Sequence, residues 1–186
     1  MKHHTSNVKK FLNNSYSAKH KTKIGGYTID KHLSGKRAQV YKDSSGKAVV
    51  VHRGTQGIHD MITDAKASLG FSNNKRFKHA KKIQRQAEAK YGSSNTTTMG
   101  HSLGGLLAER SANKKSKVVT LNKAGLPGDR NKKIKSNQID IRTSGDLVSH
   151  LTRNQKGGKK ITIKSTTKNP LKEHTTNVLN RINTNI

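Results

Sequence analysis

Residues 96–109 of the chain read TTTMGHSLGGLLAE, and the prediction of the fold starts from this stretch. A β-prone run of threonines leads into GHSLG at residues 100–104, and a helix-forming Leu-Leu-Ala run follows directly. This order is that of a nucleophile elbow, where a sharp strand-to-helix turn needs small residues on both sides of the nucleophile. Such a turn lifts the Ser102 hydroxyl above the sheet edge and points helix N–H groups at a developing oxyanion. The alternative is a glycine-rich turn that carries an incidental serine.

The composition describes a lean and very basic globular chain. Only 29% of the 186 residues are hydrophobic, yet they are clumped into strand-like and helix-like runs, which favours one folded domain over disorder. There is no cysteine, so neither disulfides nor thiolate metal sites stabilise the fold. Lys and Arg number 38 against 10 Asp and Glu, and the net charge is +28. This excess predicts attraction to polyanions such as nucleic acid or an anionic lipid surface.

Residues 1–23 are predicted to form a basic N-terminal segment, and residues 24–186 a single α/β domain. The segment contains one candidate for a short helix, at residues 8–16. It lacks the apolar core of a signal peptide, and no run in the chain approaches the ~20 apolar residues of a membrane span. We therefore expect no secretory signal and a protein that is soluble or at most peripheral, either cytoplasmic or packaged in a virion.

Strand patterns and helix patterns alternate along the chain. Besides the elbow strand, strands are expected at residues 27–29, 38–41, 47–51, 118–121, 138–142 and 159–164. Helices are expected at residues 75–91, from the elbow to about residue 111, and at residues 176–182, with a short amphipathic run at residues 58–69. This alternation predicts an α/β fold with a mostly parallel central sheet and helices on both faces.

A serine hydroxyl becomes an effective nucleophile only when a base takes its proton, and the base needs an orienting acid. The acid candidate is Asp146, which directly follows a predicted strand, and Asp129 in a Pro-Gly loop is the alternative. Two histidines follow Ser102 in the chain. His174 lies on a late loop that can return across the sheet edge, whereas His150 is close to Asp146 in sequence. We predict Ser102, Asp146 and His174 as nucleophile, acid and base, with His150 as the alternative base.

The oxyanion of an acyl-transfer intermediate needs two preorganised donors. One is the N–H of Leu103, the residue after the serine. The second should follow an earlier strand, and Thr55 fits because the HRGT sequence at residues 52–55 comes straight after a Val-Val-Val run. The histidine spacings form no H-E-x-x-H or paired-ligand pattern, so no metal site and no cofactor are predicted.

These motifs resemble those of the class 3 lipase family, the fungal triacylglycerol lipase type. The matching features follow one another along the chain: Arg-Gly-Thr after a hydrophobic strand, a lid-like segment at residues 60–64, the Gly-His-Ser-Leu-Gly-Gly elbow, Gly-Leu-Pro at residues 125–127 and the acid turn at residues 145–148. Met61 stands where the family has a lid tryptophan.

The resemblance implies a compact α/β-hydrolase fold without a cofactor. Within that fold it implies Ser102, Asp146 and His174 as the catalytic triad. It also implies Thr55 and Leu103 as the oxyanion donors. The implied substrate is a lipid ester, and the basic composition favours an ester in an anionic phospholipid.

Two functions of different classes fit the sequence. The first is a serine ester hydrolase of the lipase or phospholipase type, which uses a Ser-Asp-His triad and an acyl-enzyme and would meet anionic membrane through its basic surface. The second is a polyanion-binding protein, such as a nucleic-acid-binding virion component, on a hydrolase-like scaffold. Small, lysine-rich, cysteine-free chains are common among proteins packaged by large DNA viruses. The intact triad candidate favours the first function.

Overall fold

An eight-stranded sheet forms the centre of the molecule. The computed structural model describes residues 2–55, 75–126 and 128–186. The strands lie side by side in the same order as in the chain: β1 (Lys23–Ile24), β2 (Tyr27–Ile29), β3 (Ala38–Lys42), β4 (Ala48–His52), β5 (Thr96–His101), β6 (Lys117–Leu121), β7 (Gln138–Thr143) and β8 (Lys159–Ile163).

The early strands of this sheet are antiparallel and the later ones are parallel. Neighbours from β1 to β4 pair in antiparallel fashion, whereas β4 to β8 run parallel throughout. The carboxyl ends of the parallel strands therefore meet at one edge of the sheet. Open α/β sheets place their ligand sites at this edge.

Helices cover both faces of the sheet, and the predicted fold class is confirmed. The described residues form α1 (Thr5–Tyr16), α2 (Lys75–Tyr91), α3 (Leu103–Ser111), α4 (Pro170–Glu173) and 3-10 helices at Ser93–Asn95, His150–Thr152 and Thr176–Arg181. Successive side chains of a strand point to opposite faces. In β4, Val49 and Val51 accordingly join the cluster that contains α1, and Val50 joins the cluster that contains α2. None of the described helices is long and apolar enough to cross a bilayer.

The predicted strands agree with the observed ones to within about two residues at each end, but three details differ. The strand β1 was not predicted, because it has only two residues; Gly25 and Gly26 form its hairpin turn to β2. The last predicted helix is a 3-10 helix at Thr176–Arg181, in a stretch of Thr, Asn and Val residues with low α-helix propensity. The amphipathic run at residues 58–69 and the lid-like segment lie outside the described residues.

Residues on both sides of the predicted boundary at residue 24 contribute to one hydrophobic core. Val8 and Phe11 of α1 are fully buried in the same cluster as Met99 of β5. The ring of Phe11 also meets the ring of Tyr41 edge to face, with 5.2 Å between the centroids. This packing does not define a domain boundary at residue 24, so the boundary stays a prediction.

Candidate active site

Ser102 occupies a strained turn between β5 and α3. Its φ of 58° and ψ of −129° lie in a region that residues other than glycine rarely adopt. Neighbouring strands and loops hold this turn, since the Ser102 N–H donates to the Leu121 carbonyl over 3.0 Å and the Ser102 carbonyl accepts from the Ala124 N–H over 3.1 Å. A Cβ atom on Gly100 would lie 2.0 Å from the carbonyl oxygen of Gly104. The strand–elbow–helix geometry therefore depends on the glycines that flank the serine.

Asp146 and His174 meet at the carboxyl end of β7. His174 Nδ1 lies 2.6 Å from Asp146 Oδ1, and the exposed fractions of the two side chains are 4% and 0%. The carboxylate also accepts the N–H groups of Ser149 over 2.8 Å and Val148 over 3.3 Å, which fix its orientation. Because a carboxylate only accepts, Nδ1 of His174 carries the proton and Nε2 presents a lone pair. That Nε2 atom is buried and has no hydrogen-bond partner among the described residues.

His101 connects the elbow to the loop that carries His174. Its Nε2 donates to the His174 carbonyl over 2.5 Å, and its Nδ1 accepts from the Tyr16 hydroxyl over 2.9 Å. The two imidazole rings lie 4.7 Å apart between centroids. Burial, followed by the neighbouring His174 ring, lowers the pKa of His101 to about 3, so this imidazole stays neutral. Since His101 directly precedes Ser102, these contacts hold His174 beside the elbow.

The loop at residues 53–55 packs against the first turn of α3, which begins at Leu103. A Cβ atom on Gly104 would lie 2.2 Å from the His52 carbonyl oxygen and 2.8 Å from the Gly54 nitrogen. Glycine is therefore required for the loop to approach the helix this closely. The two predicted oxyanion donors, on this loop and at the start of α3, lie on neighbouring elements.

Arg76 of α2 donates hydrogen bonds to the loop at residues 53–55. Its guanidinium donates to the Thr55 hydroxyl oxygen over 3.2 Å and to the Arg53 carbonyl over 2.7 Å. A guanidinium has only donors, so the Thr55 oxygen accepts from Arg76 and its own proton remains to be donated elsewhere. The hydroxyl of Thr55 is thus oriented by a charged neighbour.

The alternative acid and base are placed differently. Asp129 pairs with Arg110, and with Lys132 over 2.9 Å. His150 is exposed on its 3-10 helix. Asp146 thus contacts His174 directly, whereas among the described residues no hydrogen bond or ion pair joins its carboxylate to the His150 side chain, or Asp129 to either histidine. Among the described residues, no three His, Cys, Asp or Glu side chains are grouped in a way that would hold a metal ion.

Three neighbours of the site were not predicted from the sequence: Tyr16, Arg76 and His101. Each acts through a contact with a residue far away in the chain, as in the hydrogen bond between Tyr16 and His101. Only His101 carries a sequence signal, because it lies inside the elbow motif directly before the serine. Tyr16 and Arg76 lie in helices whose patterns indicate packing alone.

Comparison with protein families decides the class of this domain. A profile for Tle-like phospholipase domains, of the phospholipase-like group, matches residues 15–167. The chain belongs to the Tle-like phospholipase domain family. The match includes Thr55, Ser102 and Asp146, whereas His174 lies beyond its end. This Tle-like domain is a lipase-like α/β-hydrolase, a broader class than the class 3 lipases that its motifs resemble. Comparison with curated protein sequences gives no significant match.

Solved structures with a similar fold include fungal lipases. A deletion mutant of the Rhizomucor miehei lipase propeptide complex is 16% identical with a TM-score of 0.51, over 87% of this chain and 66% of that chain. The native complex is 16% identical with a TM-score of 0.49, over 86% and 67%. A CIB-like hydrolase from Thermoplasma acidophilum is 14% identical with a TM-score of 0.45, over 86% and 89%. The Tle-like domain thus spans about two thirds of the length of the Rhizomucor structures. At 16% identity, the similarity to the deletion-mutant structure shows a shared fold alone.

Proposed function

We propose that this Tle-like domain is a serine ester hydrolase that cleaves an acyl ester of a phospholipid. The observation that carries the proposal is the 2.6 Å contact between His174 Nδ1 and Asp146 Oδ1, beside the elbow that carries Ser102. A buried acid, a histidine with an unpartnered proton-accepting nitrogen and a serine on a strained elbow form the constellation used for acyl transfer. Their order along the chain is also that of the class 3 lipases.

The proposed reaction proceeds through an acyl-enzyme. His174 Nε2 takes the Ser102 hydroxyl proton as Oγ attacks the ester carbonyl, and Asp146 stabilises the imidazolium that forms. The N–H of Leu103 and the N–H or hydroxyl of Thr55 donate to the oxyanion of the tetrahedral intermediate. The intermediate collapses as His174 gives the proton to the leaving alcohol. A water molecule, deprotonated in turn by His174, then hydrolyses the acyl-enzyme and releases the carboxylic acid.

Exposed leucines beside the site support a lipid substrate. The large hydrophobic residues that stand exposed in the described part of the chain are Leu147, Leu151 and Leu171, with exposed fractions of 67%, 44% and 44%. Leu147 directly follows Asp146, and Leu171 precedes His174 by three positions. Exposed apolar side chains this close in the chain to the proposed acid and base support contact with a lipid surface or an apolar ligand.

The surface charge of the domain is mainly positive, because most of the few acidic side chains are paired within the molecule. Two of the 10 acidic residues, Asp60 and Asp64, lie outside the described residues. The others accept hydrogen bonds or form ion pairs within the molecule. Asp30, for example, pairs with Lys90, and Glu173 pairs with Arg181. The positive excess therefore remains largely unopposed on the surface, and we infer that it draws the domain to anionic lipid. Nucleic-acid binding by the same charge is the alternative, and it needs no catalysis.

Labelling with a fluorophosphonate probe tests the proposed activity. The probe should modify the wild-type protein and fail to modify Ser102→Ala, and hydrolysis of p-nitrophenyl esters should be lost in the same variant. Ser94→Ala is the matched control, because Ser94 is exposed on a 3-10 helix at the opposite end of β5. Equal labelling or equal hydrolysis by wild type and Ser102→Ala would exclude Ser102 as the nucleophile.

A further inference from the structure

A polar cavity that contains two arginines opens beside the Asp146 turn. Its volume is about 260 Å³. The lining includes Arg142 and Asp146 at the end of β7, and Thr162 of β8. It also includes His150 and Arg153 from the crossover segment, residues 144–158, which connects β7 to β8. The Arg142 side chain is only 7% exposed, whereas His150 and Arg153 are exposed. The cavity therefore combines a buried guanidinium with a rim of side chains that can turn toward a ligand.

One donor of the buried guanidinium has no partner. Arg142 Nη2 donates to Asp140 Oδ2 over 2.5 Å, but Nη1 is buried and makes no hydrogen bond among the described residues. An unsatisfied donor on a buried charged group costs free energy, so such groups in a folded protein need an explanation. An oxyanion that entered the cavity, with a small shift of the rim side chains, would accept this N–H.

Arg142 belongs to a group of four charged side chains whose charges sum to zero. Lys123 is fully buried, pairs with Glu109 and lies 3.8 Å from Asp140. Together with Arg142 this makes two cations and two carboxylates, with no net charge. The Asp146 carboxylate also lines the cavity, where two backbone N–H groups and His174 Nδ1 hold it. The charge that would attract an anion therefore comes from the rim, where Arg153 carries a full positive charge.

Apolar and basic side chains alternate along the segment that forms the rim. Leu147 and Leu151 are exposed; His150 directly precedes Leu151 in the chain, and Arg153 follows it by two positions. An apolar surface beside an anion site matches the two parts of a phospholipid, its acyl chains and its phosphate. We propose that this cavity binds the headgroup phosphate of the phospholipid whose ester reaches Ser102. The proposal rests on the proposed function, because it names the substrate of that site.

Calorimetric titration with inorganic phosphate and with glycerol 3-phosphate tests the cavity without turnover, in a Ser102→Ala background. Arg153→Gln and Arg85→Gln each remove one positive charge, but Arg85 is exposed on α2 and does not line the cavity. We expect Arg153→Gln to weaken binding about tenfold and Arg85→Gln to leave it unchanged, since one charged hydrogen bond is lost. Equal affinities in the two variants would overturn the site, because binding would then follow net charge alone.

Arg142→Gln removes the buried donor itself, and its unfolding transition shows whether it is folded. A folded Arg142→Gln protein should lose at least as much phosphate affinity as Arg153→Gln. If it binds phosphate as tightly as the wild type, the buried guanidinium is not part of the site and the proposal is wrong. Should this variant not fold, the comparison of Arg153 with Arg85 decides alone.

Turnover distinguishes a lipid headgroup from free phosphate as the ligand. The measured quantity is the ratio of kcat/KM for phosphatidylglycerol to kcat/KM for neutral diacylglycerol, with both lipids dispersed in the same neutral detergent micelles. This ratio should fall about tenfold in Arg153→Gln and stay constant in Arg85→Gln. An Arg153 effect on phosphate binding without any effect on this ratio would overturn the headgroup assignment. If no ester is cleaved but phosphate binding still depends on Arg153, the proposed function fails and the anion site stands.

Discussion

His174 Nδ1 lies 2.6 Å from Asp146 Oδ1, although 28 positions separate the two residues in the chain. The contact is buried, and two backbone N–H groups also hold the carboxylate. It selects the tautomer of His174 in which Nε2 is free to accept a proton. Each prediction about activity below depends on this arrangement.

Loss of His174 should remove most of the ester hydrolysis. We expect His174→Ala to lower kcat at least about a thousandfold, since general-base assistance is lost. The double variant Asp146→Ala/His174→Ala should be little worse than His174→Ala, because an orienting acid has no effect without its base. His150→Ala, at the exposed alternative, is the control and should retain full kcat. An active His174→Ala protein alongside an inactive His150→Ala protein would move the base to His150.

The Thr55 hydroxyl, oriented by Arg76, should contribute to the oxyanion hole. Thr55→Val has nearly the same shape without the hydroxyl, and we expect kcat to fall about a hundredfold. Thr55→Ser retains the hydroxyl and should stay within about tenfold of the wild type. Both values come from steady-state kinetics with a soluble ester. If Thr55→Val is as active as Thr55→Ser, Thr55 contributes at most its backbone N–H.

A side chain at Gly104 should disrupt the elbow. The Cβ atom of Gly104→Ala would lie 2.2 Å from the carbonyl oxygen of His52, so the backbone must move. We expect the free energy of unfolding to fall by about 3 kcal/mol, the upper part of the range for overpacking. Gly35→Ala is the control, because a Cβ atom there meets nothing within 4 Å. Urea denaturation measures both, and similar stabilities of the two variants would contradict this account of the elbow.

Folding stability should fall as the pH drops below about 6.5. Burial lowers the pKa of His52 from 6.5 to about 4, so between these values the unfolded chain binds a proton that the folded protein does not. The contribution of neutral His52 to folding stability is fully present above pH 6.5 and is lost as the pH falls toward 4. Between pH 7 and pH 5 the free energy of unfolding should therefore fall by on the order of 2 kcal/mol. His52→Gln should remove a change of about this size from the pH dependence of the free energy of unfolding. The control His32→Gln, at an exposed position, should leave that pH dependence as it is in the wild type. Urea denaturation at the two pH values gives the difference, and an unchanged pH dependence in His52→Gln would contradict the assignment.

The net charge of +28 should produce salt-dependent binding to polyanions. Affinity for double-stranded DNA should be independent of sequence and fall log-linearly with salt, because bound counter-ions are released. Ester turnover should be faster on phosphatidylglycerol vesicles than on neutral vesicles, and added DNA should suppress this gain. Equal turnover on both kinds of vesicle, with no retention of DNA at about 0.15 M salt, would leave the charge without this role.

The sequence by itself determined the features that depend on neighbouring residues. The elbow at Ser102, its flanking glycines and the buried strand before Thr55 are short-range patterns, because the conformation of a turn or strand is set within a few residues. They were enough to predict the α/β fold and the identities of the candidate acid and base. They left Asp129 and His150 as alternatives, since spacing along the chain does not say which side chains meet.

Only the tertiary structure decided which of these side chains are in contact. Asp146 contacts His174 because the loop after β8 returns across the sheet edge, where His101 donates to the His174 carbonyl. The unpartnered Nη1 donor of Arg142 likewise arises from tertiary packing, because the guanidinium is buried while Asp140 accepts a hydrogen bond from Nη2 alone. Such contacts are made when distant segments pack on a common sheet. Their energies depend on burial and distance, which a residue's neighbours in sequence do not determine.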